Sequence, residues 1–215
     1  MRYLCNTRPD ISYSVGLISR FIEKPRTSHY MEAKRILRYI KETIELGLLY
    51  SRKLNEEEVE LISFTDADWC GDMDDRKSTA GYVFTINNSP ISWCSKKQNI
   101  VALSICEAEY VVASMGACQA MWLTELMAKL ELRRNNAVKM KIDNKSAIDL
   151  ARHPSVHRTS KHIETRFYFL RDQVMKGNIK LKHCNTNYQK TDILTKSLKR
   201  VKFEEMKIKL GLTLN

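Results

Sequence analysis

The chain of 215 residues carries 36 Lys and Arg against 25 Asp and Glu, a formal charge of +11, and 43% of it is hydrophobic. That apolar content suffices for a packed core and excludes a chain disordered throughout. The basic excess favours a polyanionic partner, nucleic acid before membrane. No run reads as apolar over the length of a bilayer-spanning helix, and the opening MRYLCNTRPD lacks the apolar centre of a signal peptide. Six cysteines (Cys5, Cys70, Cys94, Cys106, Cys118, Cys184) form no C-x-x-C pair, and the five histidines show no zinc spacing with them. Free thiols in a reducing intracellular compartment, cytoplasm or nucleus, are the expectation.

Residues 1–50 read as two helices. Ile11, Val15, Ile18, Phe21 and Ile22 recur at helical spacing before Pro25. Thr27 or Ser28 is expected to cap a second helix with Met31, Ala33, Ile36, Leu37 and Ile40 as its apolar stripe. Lys34, Arg35, Arg38 and Lys41 form its solvated face, Gly47 ends it, and 48–52 reads as a short strand. The charged connector KLNEEE at 53–58 marks the main boundary.

A strand over 59–69 follows, with Leu61, Ile62 and Phe64 apolar and two acids, Asp66 and Asp68, on one face. A carboxylate in a buried strand is costly unless it is paired or holds a cation; the structural alternative is a solvated strand end. After the acidic loop with Asp72, Asp74 and Asp75, strands over 81–86 and 91–96, joined by the turn Asn87-Asn88-Ser89, complete an antiparallel meander. Ser104-Ile105-Cys106-Glu107 has the form of a capping box that opens a long apolar helix towards Leu132. Glu107 then has a structural task, and Glu109, two residues on, is free for another. Residues 137–143 alternate, with Val138, Met140 and Ile142 on one face, and end in Asp143 before a helix start at Asn144. Asp143 is either a helix cap or a site residue; strand ends of α/β sheets are where ligands bind. A loop with three histidines spans 153–162, then come a helix over 163–176 stopped by Gly177, a strand over 178–184, a helix over 189–198 carrying Asp192, and a basic amphipathic tail helix over 200–210.

Asp66, Glu109, Asp143 and Asp192 thus come from a strand, a helix, a strand and a helix. Hard oxygen donors suit Mg²⁺ or Mn²⁺. Four carboxylates at one sheet end repel one another unless cations lie between them, and two ions about 3.5–4 Å apart are the arrangement for in-line displacement at phosphorus.

Eight ordered blocks carry a family resemblance: YLCNTRPDISYSVGLISRF at 3–21, AKRILRYIK at 33–41, TDADWCGDMDDRKSTAGYVF at 65–84, ISWCSKKQ at 91–98, VALSICEAEY at 101–110, KIDNKSAIDL at 141–150, HRTSKHIETRFYFLRDQV at 157–174 and TDILTKSL at 191–198. They resemble the ribonuclease H region of copia-type retrotransposon Pol polyproteins, with 1–52 similar to the end of the reverse transcriptase. The resemblance implies an α/β ribonuclease H-like fold: a five-stranded mixed sheet flanked by helices over 59–198, preceded by a two-helix segment and followed by a basic helix over 199–215. It places the family's metal-binding acids on Asp66, Glu109, Asp143 and Asp192, with two Mg²⁺ ions, or Mn²⁺ as substitute. It offers Gly71, Lys96, Lys97, Gln98, Ser104 and Asn144 as nucleic-acid contacts. The implied activity is hydrolysis of the RNA strand of RNA–DNA hybrids. One departure is that residues 185–190 contain no histidine where cellular and retroviral relatives carry a mobile one; His183 and His162 are the neighbouring candidates. The alternative reading is a domesticated protein acting through nucleic acid or through a protein partner or second copy bound at 1–52, with little catalysis and no membrane.

Overall fold

The structure, a computed structural model, describes residues 1–50, 59–132, 137–152 and 161–214, the side chains of 161–167 excepted. The connector at 53–58, the histidine-bearing loop at 153–160 and the His162 side chain lie outside the described residues. In chain order the elements are α1 (Ser12–Ile18), α2 (Thr27–Glu42), β1 (Leu46–Leu48), β2 (Leu61–Asp68), β3 (Thr79–Ile86), β4 (Ser89–Lys97), α3 (Ile105–Lys129), β5 (Val138–Ile142), α4 (Lys145–Arg152), α5 (Lys161–Met175), β6 (Ile179–His183), α6 (Asp192–Thr195), α7 (Arg200–Lys209) and β7 (Leu212–Leu214).

Five strands form one mixed sheet in the order β4-β3-β2-β5-β6. β2, β3 and β4 are an antiparallel meander, while β5 and β6 run parallel to β2. The turn between β3 and β4 needs two residues at positive φ, and Asn87 (51°) and Asn88 (65°) supply them. The parallel strands are reached by crossovers, α3 before β5 and α4 with α5 before β6, as parallel pairing requires. One sheet face packs Leu61, Phe84, Met140, Ile142 and Leu181 against Tyr110, Ala113, Ala117 and Leu123 of α3 and Leu170 of α5. The other face packs Phe64 and Val83 under Ile193, Leu194, Met206 and Leu210. This is the ribonuclease H-like architecture that the resemblance implies, preceded by the two helices α1 and α2.

Four local features differ from the sequence expectation. Neither Thr27 nor Ser28 caps α2: the Arg26 N–H donates to His29 Nδ1, whose ring is fixed by stacking on Phe21 at 4.1 Å. The short strand after α2 is Leu46–Leu48, because Gly47 pairs with Thr213 of β7. The helix expected over 189–198 contracts to the four residues of α6, with Lys196 in extended backbone at its end. By length and composition α3 could cross a membrane, which the apolar-run criterion missed; half of its most apolar window is buried, and it packs on the sheet as a core helix.

The N-terminal helices pack around Ile11, Val15 and Ile36 and reach the sheet through Trp93, whose Nε1 donates to Cys5 O at 2.7 Å. The buried Asp10 carboxylate takes Arg8 at 2.7 Å and the Tyr39 hydroxyl at 2.6 Å, closing α2 onto the segment before α1.

Candidate metal centre

Thr65 of β2 pairs with Ile142 of β5, so the next position along each chain brings Asp66 beside Asp143 at the carboxyl end of the parallel strands. Glu109 stands on the second turn of α3, which crosses β2. Ligand oxygens of Asp66, Glu109 and Asp143 all lie within 4.8 Å of one another. Asp66 is 3% exposed and Glu109 2%. One Glu109 oxygen accepts the Ala67 N–H at 2.9 Å; the other is buried with no hydrogen-bond partner.

Asp192, the first residue of α6, stands next to this triad but outside its 4.8 Å circle. It is joined to it by Lys196, whose Nζ lies 2.8 Å from Asp192 Oδ1 and 3.7 Å from Asp66 Oδ2. The Thr195 hydroxyl donates to Asp66 Oδ2. Asp192 and Thr195 are the first and last residues of α6, and Lys196 follows in the extended backbone that ends it, at i, i+3 and i+4. That spacing in TDILTK was the available signal for Thr195 and Lys196, which sequence reasoning passed over. Gln189, fully buried, donates to Thr65 O at 2.8 Å and ties the segment before α6 to β2. His183 Nε2 lies 3.1 Å from Asp143 O, which puts an exposed imidazole at the rim.

Burial first, and then the neighbouring Asp192 and Asp143, push the Asp66 carboxyl up to about 6 against the opposing pull of Lys196 and Thr195. Burial and the charges of Asp66 and Asp143 hold Glu109 well above the usual carboxylate range, and burial raises Asp143 as well. Burial works against the Lys196 ammonium, yet Asp66 and Asp192 outweigh it and hold its pKa up. Three crowded carboxyls, one with an unpartnered buried oxygen, form a hard-oxygen set that a divalent cation fits.

Five of the other six sequence candidates also make contacts within the fold. The Gly71 N–H donates to Asp68 O at 3.3 Å, and a Cβ at Gly71 would collide with the Asp68 carboxylate. Lys97 pairs with Asp72 at 2.6 Å and Asp75 at 2.8 Å. Gln98 is 3% exposed and donates to Ala108 O. Ser104 Oγ accepts the Glu107 N–H, while the Glu107 carboxylate accepts from Leu103, one residue earlier than a standard capping box places it. Asn144 Oδ1 accepts the Ala147 N–H and so caps α4. Lys96 is exposed.

This strand order with acids at the carboxyl ends of β2 and β5 defines a ribonuclease H-like α/β protein. No family model matches the chain. It is 38% identical over 213 residues to the retrovirus-related Pol polyprotein from transposon RE1 of Arabidopsis thaliana, covering 99% of this chain and 14% of that protein. It is 39% identical over 209 residues to the corresponding polyprotein from transposon TNT 1-94 of Nicotiana tabacum, covering 97% of this chain and 15% of that protein. Among solved structures, the crystal structure of LC11-RNase H1 in complex with RNA/DNA hybrid is 14% identical, with a TM-score of 0.45, over 63% of this chain and 94% of that one. Its homologues are copia-type transposon Pol polyproteins, and the chain spans about a seventh of the length of these relatives.

Proposed function

We propose that this chain is a metal-dependent endoribonuclease that hydrolyses the RNA strand of RNA–DNA hybrids, leaving 5′-phosphate and 3′-hydroxyl ends. The observation that carries the reading is the convergence of Asp66, Glu109 and Asp143, from three elements, on one end of the sheet. In this reading 59–198 is the catalytic unit and 1–52 its brace. Asp66, Glu109, Asp143 and Asp192 would hold two Mg²⁺ ions, with Asp192 on the side of the attacking water and Glu109 with Asp143 on the other. When bound, the ions supply activation of that water and neutralisation of the leaving oxygen. The chain's own residues hold the frame. Thr195 fixes the Asp66 rotamer, Lys196 keeps Asp192 turned towards Asp66, and the Ala67 N–H anchors Glu109. The hybrid is recognised through 2′-hydroxyls and groove shape. A reducing compartment, cytoplasm or nucleus, accompanies this reading.

The test is cleavage of a labelled hybrid with Mg²⁺ or Mn²⁺, beside duplex RNA, duplex DNA and the Asp66→Asn variant. Cuts confined to the RNA of the hybrid are expected, lost in the variant while hybrid binding persists. Normal turnover by Asp66→Asn would refute the site.

A further inference from the structure

The sheet face opposite α3 is closed over β2 and β3 by α6 and α7, but towards the β6 edge its residues are lysines. Paired residues of parallel strands point to the same side. Lys139 therefore stands beside Lys180, and Lys141 beside Lys182, in rows that continue to Ile62 and Phe64 of β2. Lys190, from the segment before α6, adds a fifth: its Nζ lies 5.5 Å, and that of Lys141 4.7 Å, from the centre of the Phe64 ring. Lys180 and Lys182 are exposed. Against these five ammonium groups the ion pairs among the described residues include one carboxylate, Glu60, on Lys139.

Two ordinary explanations fit poorly. Lysines that only block edge-to-edge strand pairing belong on the edge strand, yet these extend onto β5, an interior strand, and onto Lys190. A solvated face kept for solubility mixes both signs, whereas this one stacks like charges directly across a strand pair, which destabilises the sheet.

We propose that the lysine array is a separate nucleic-acid-binding surface that takes the phosphate backbone of a duplex. Its upper end abuts the acid cluster: Lys141 is two residues before Asp143, and Lys182 precedes His183, which contacts Asp143 O. Its lower end, Lys139 and Lys180, carries the track about 7 Å further down the opposite face, at the rise of two strand residues. Binding there reads phosphate spacing, without base readout, and does not depend on whether the acid cluster cuts.

The full chain in chelator, where cleavage is silent, is titrated against a long labelled RNA–DNA hybrid and a duplex DNA of the same sequence over a salt series, with anisotropy as readout. Lys139→Gln/Lys180→Gln/Lys182→Gln is compared with Lys24→Gln/Lys34→Gln/Lys129→Gln, which removes the same charge elsewhere. The array variant is expected to bind both probes about tenfold more weakly at low salt, with a log–log salt slope shallower by about 2, and the control to stay near wild type. Its thermal melting should be no lower than wild type, because repulsion has been removed. Should the triple variant not fold, Lys180→Gln/Lys182→Gln, both exposed, replaces it. Equal weakening by array and control variants, or no weakening by the array variant, would overturn the proposal.

Discussion

Gly81 shows how a single missing side chain positions the site. It pairs with Asp66 across β2 and β3, and a Cβ there would lie 2.6 Å from Thr195 Cγ2 and 3.0 Å from Leu194 Cβ. α6 can therefore lie directly on the strand, which brings the Thr195 hydroxyl to Asp66 and Lys196 between Asp66 and Asp192. Gly81→Ala must push α6 outwards. A loss of about 1–3 kcal/mol in chemical denaturation is expected, together with a fall in hybrid cleavage larger than that loss of folded protein explains. Unchanged cleavage at reduced stability would show that the seat of α6 does not govern the acids. The glycine is visible in the sequence within STAGYVF, but its reason is not, because Thr195 lies 114 positions away.

At the scale of elements, the acidic loop between β2 and β3 is fastened to the N-terminal helices. Asp72 takes Arg20 at 2.7 Å and Lys97 at 2.6 Å, and its other oxygen accepts the N–H groups of Asp74 and Asp75. Burial alone would raise its pKa; Lys97, the two N–H groups and Arg20 outweigh that and hold it far below the usual value. A carboxyl depressed in the folded state contributes stability above its unfolded pKa of about 3.9 and loses it as the pH falls through the folded value. Asp72→Asn is expected to cost about 2 kcal/mol at neutral pH. The gap between wild-type and variant melting temperatures should close as the pH drops below about 4. A gap that stays constant down to pH 2 would mean that the charge of Asp72 is not what binds the loop. The sequence shows three acids in a loop and does not single out Asp72; one of the partners that do, Arg20, is 52 residues earlier.

Across the whole molecule, the acid cluster sets an opposite pH trend. Asp66, Glu109 and Asp143 are all raised in the folded chain. A raised carboxyl contributes stability that is present below its unfolded pKa and lost as the pH climbs through the folded value, about 6 for Asp66. The metal-free protein is therefore strained by its own site at neutral pH, and a cation that binds only the folded state relieves it. Millimolar Mg²⁺ or Mn²⁺ should raise the melting temperature, by more at pH 8 than at pH 5, with the shift absent in Glu109→Gln. A pH-independent shift that persists in this variant would place the ion elsewhere. The last strand also meets the segment after α2 at this scale: β7 at 212–214 pairs with β1 at 46–48, and Met206 of α7 and Leu210 just after it are buried. Met206, Leu210 and Leu212 of the basic tail thus pack with Phe64 and Val83 on the sheet face opposite α3.

The elements and the main acids were legible because their signals are local. Period-two alternation marks β5, the Ser104–Glu107 spacing marks the start of α3, the Asn pair marks the β3–β4 turn, and ordered motif blocks carry the resemblance. Asp66, Glu109 and Asp143 could be chosen because acids at strand ends and on a core helix need a reason to be there. What the tertiary structure alone decided are relations between distant residues. Lys196 stands between Asp66 and Asp192, and Lys97 and Gln98 are bound into the frame, the first by ion pairs and the second by burial. Arg20 holds the acidic loop, and lysines scattered over 139–190 gather on one sheet face. A residue's type and spacing follow from its neighbours in the chain; the partner that satisfies its charge is set by strand register and helix seating, which are properties of the folded whole.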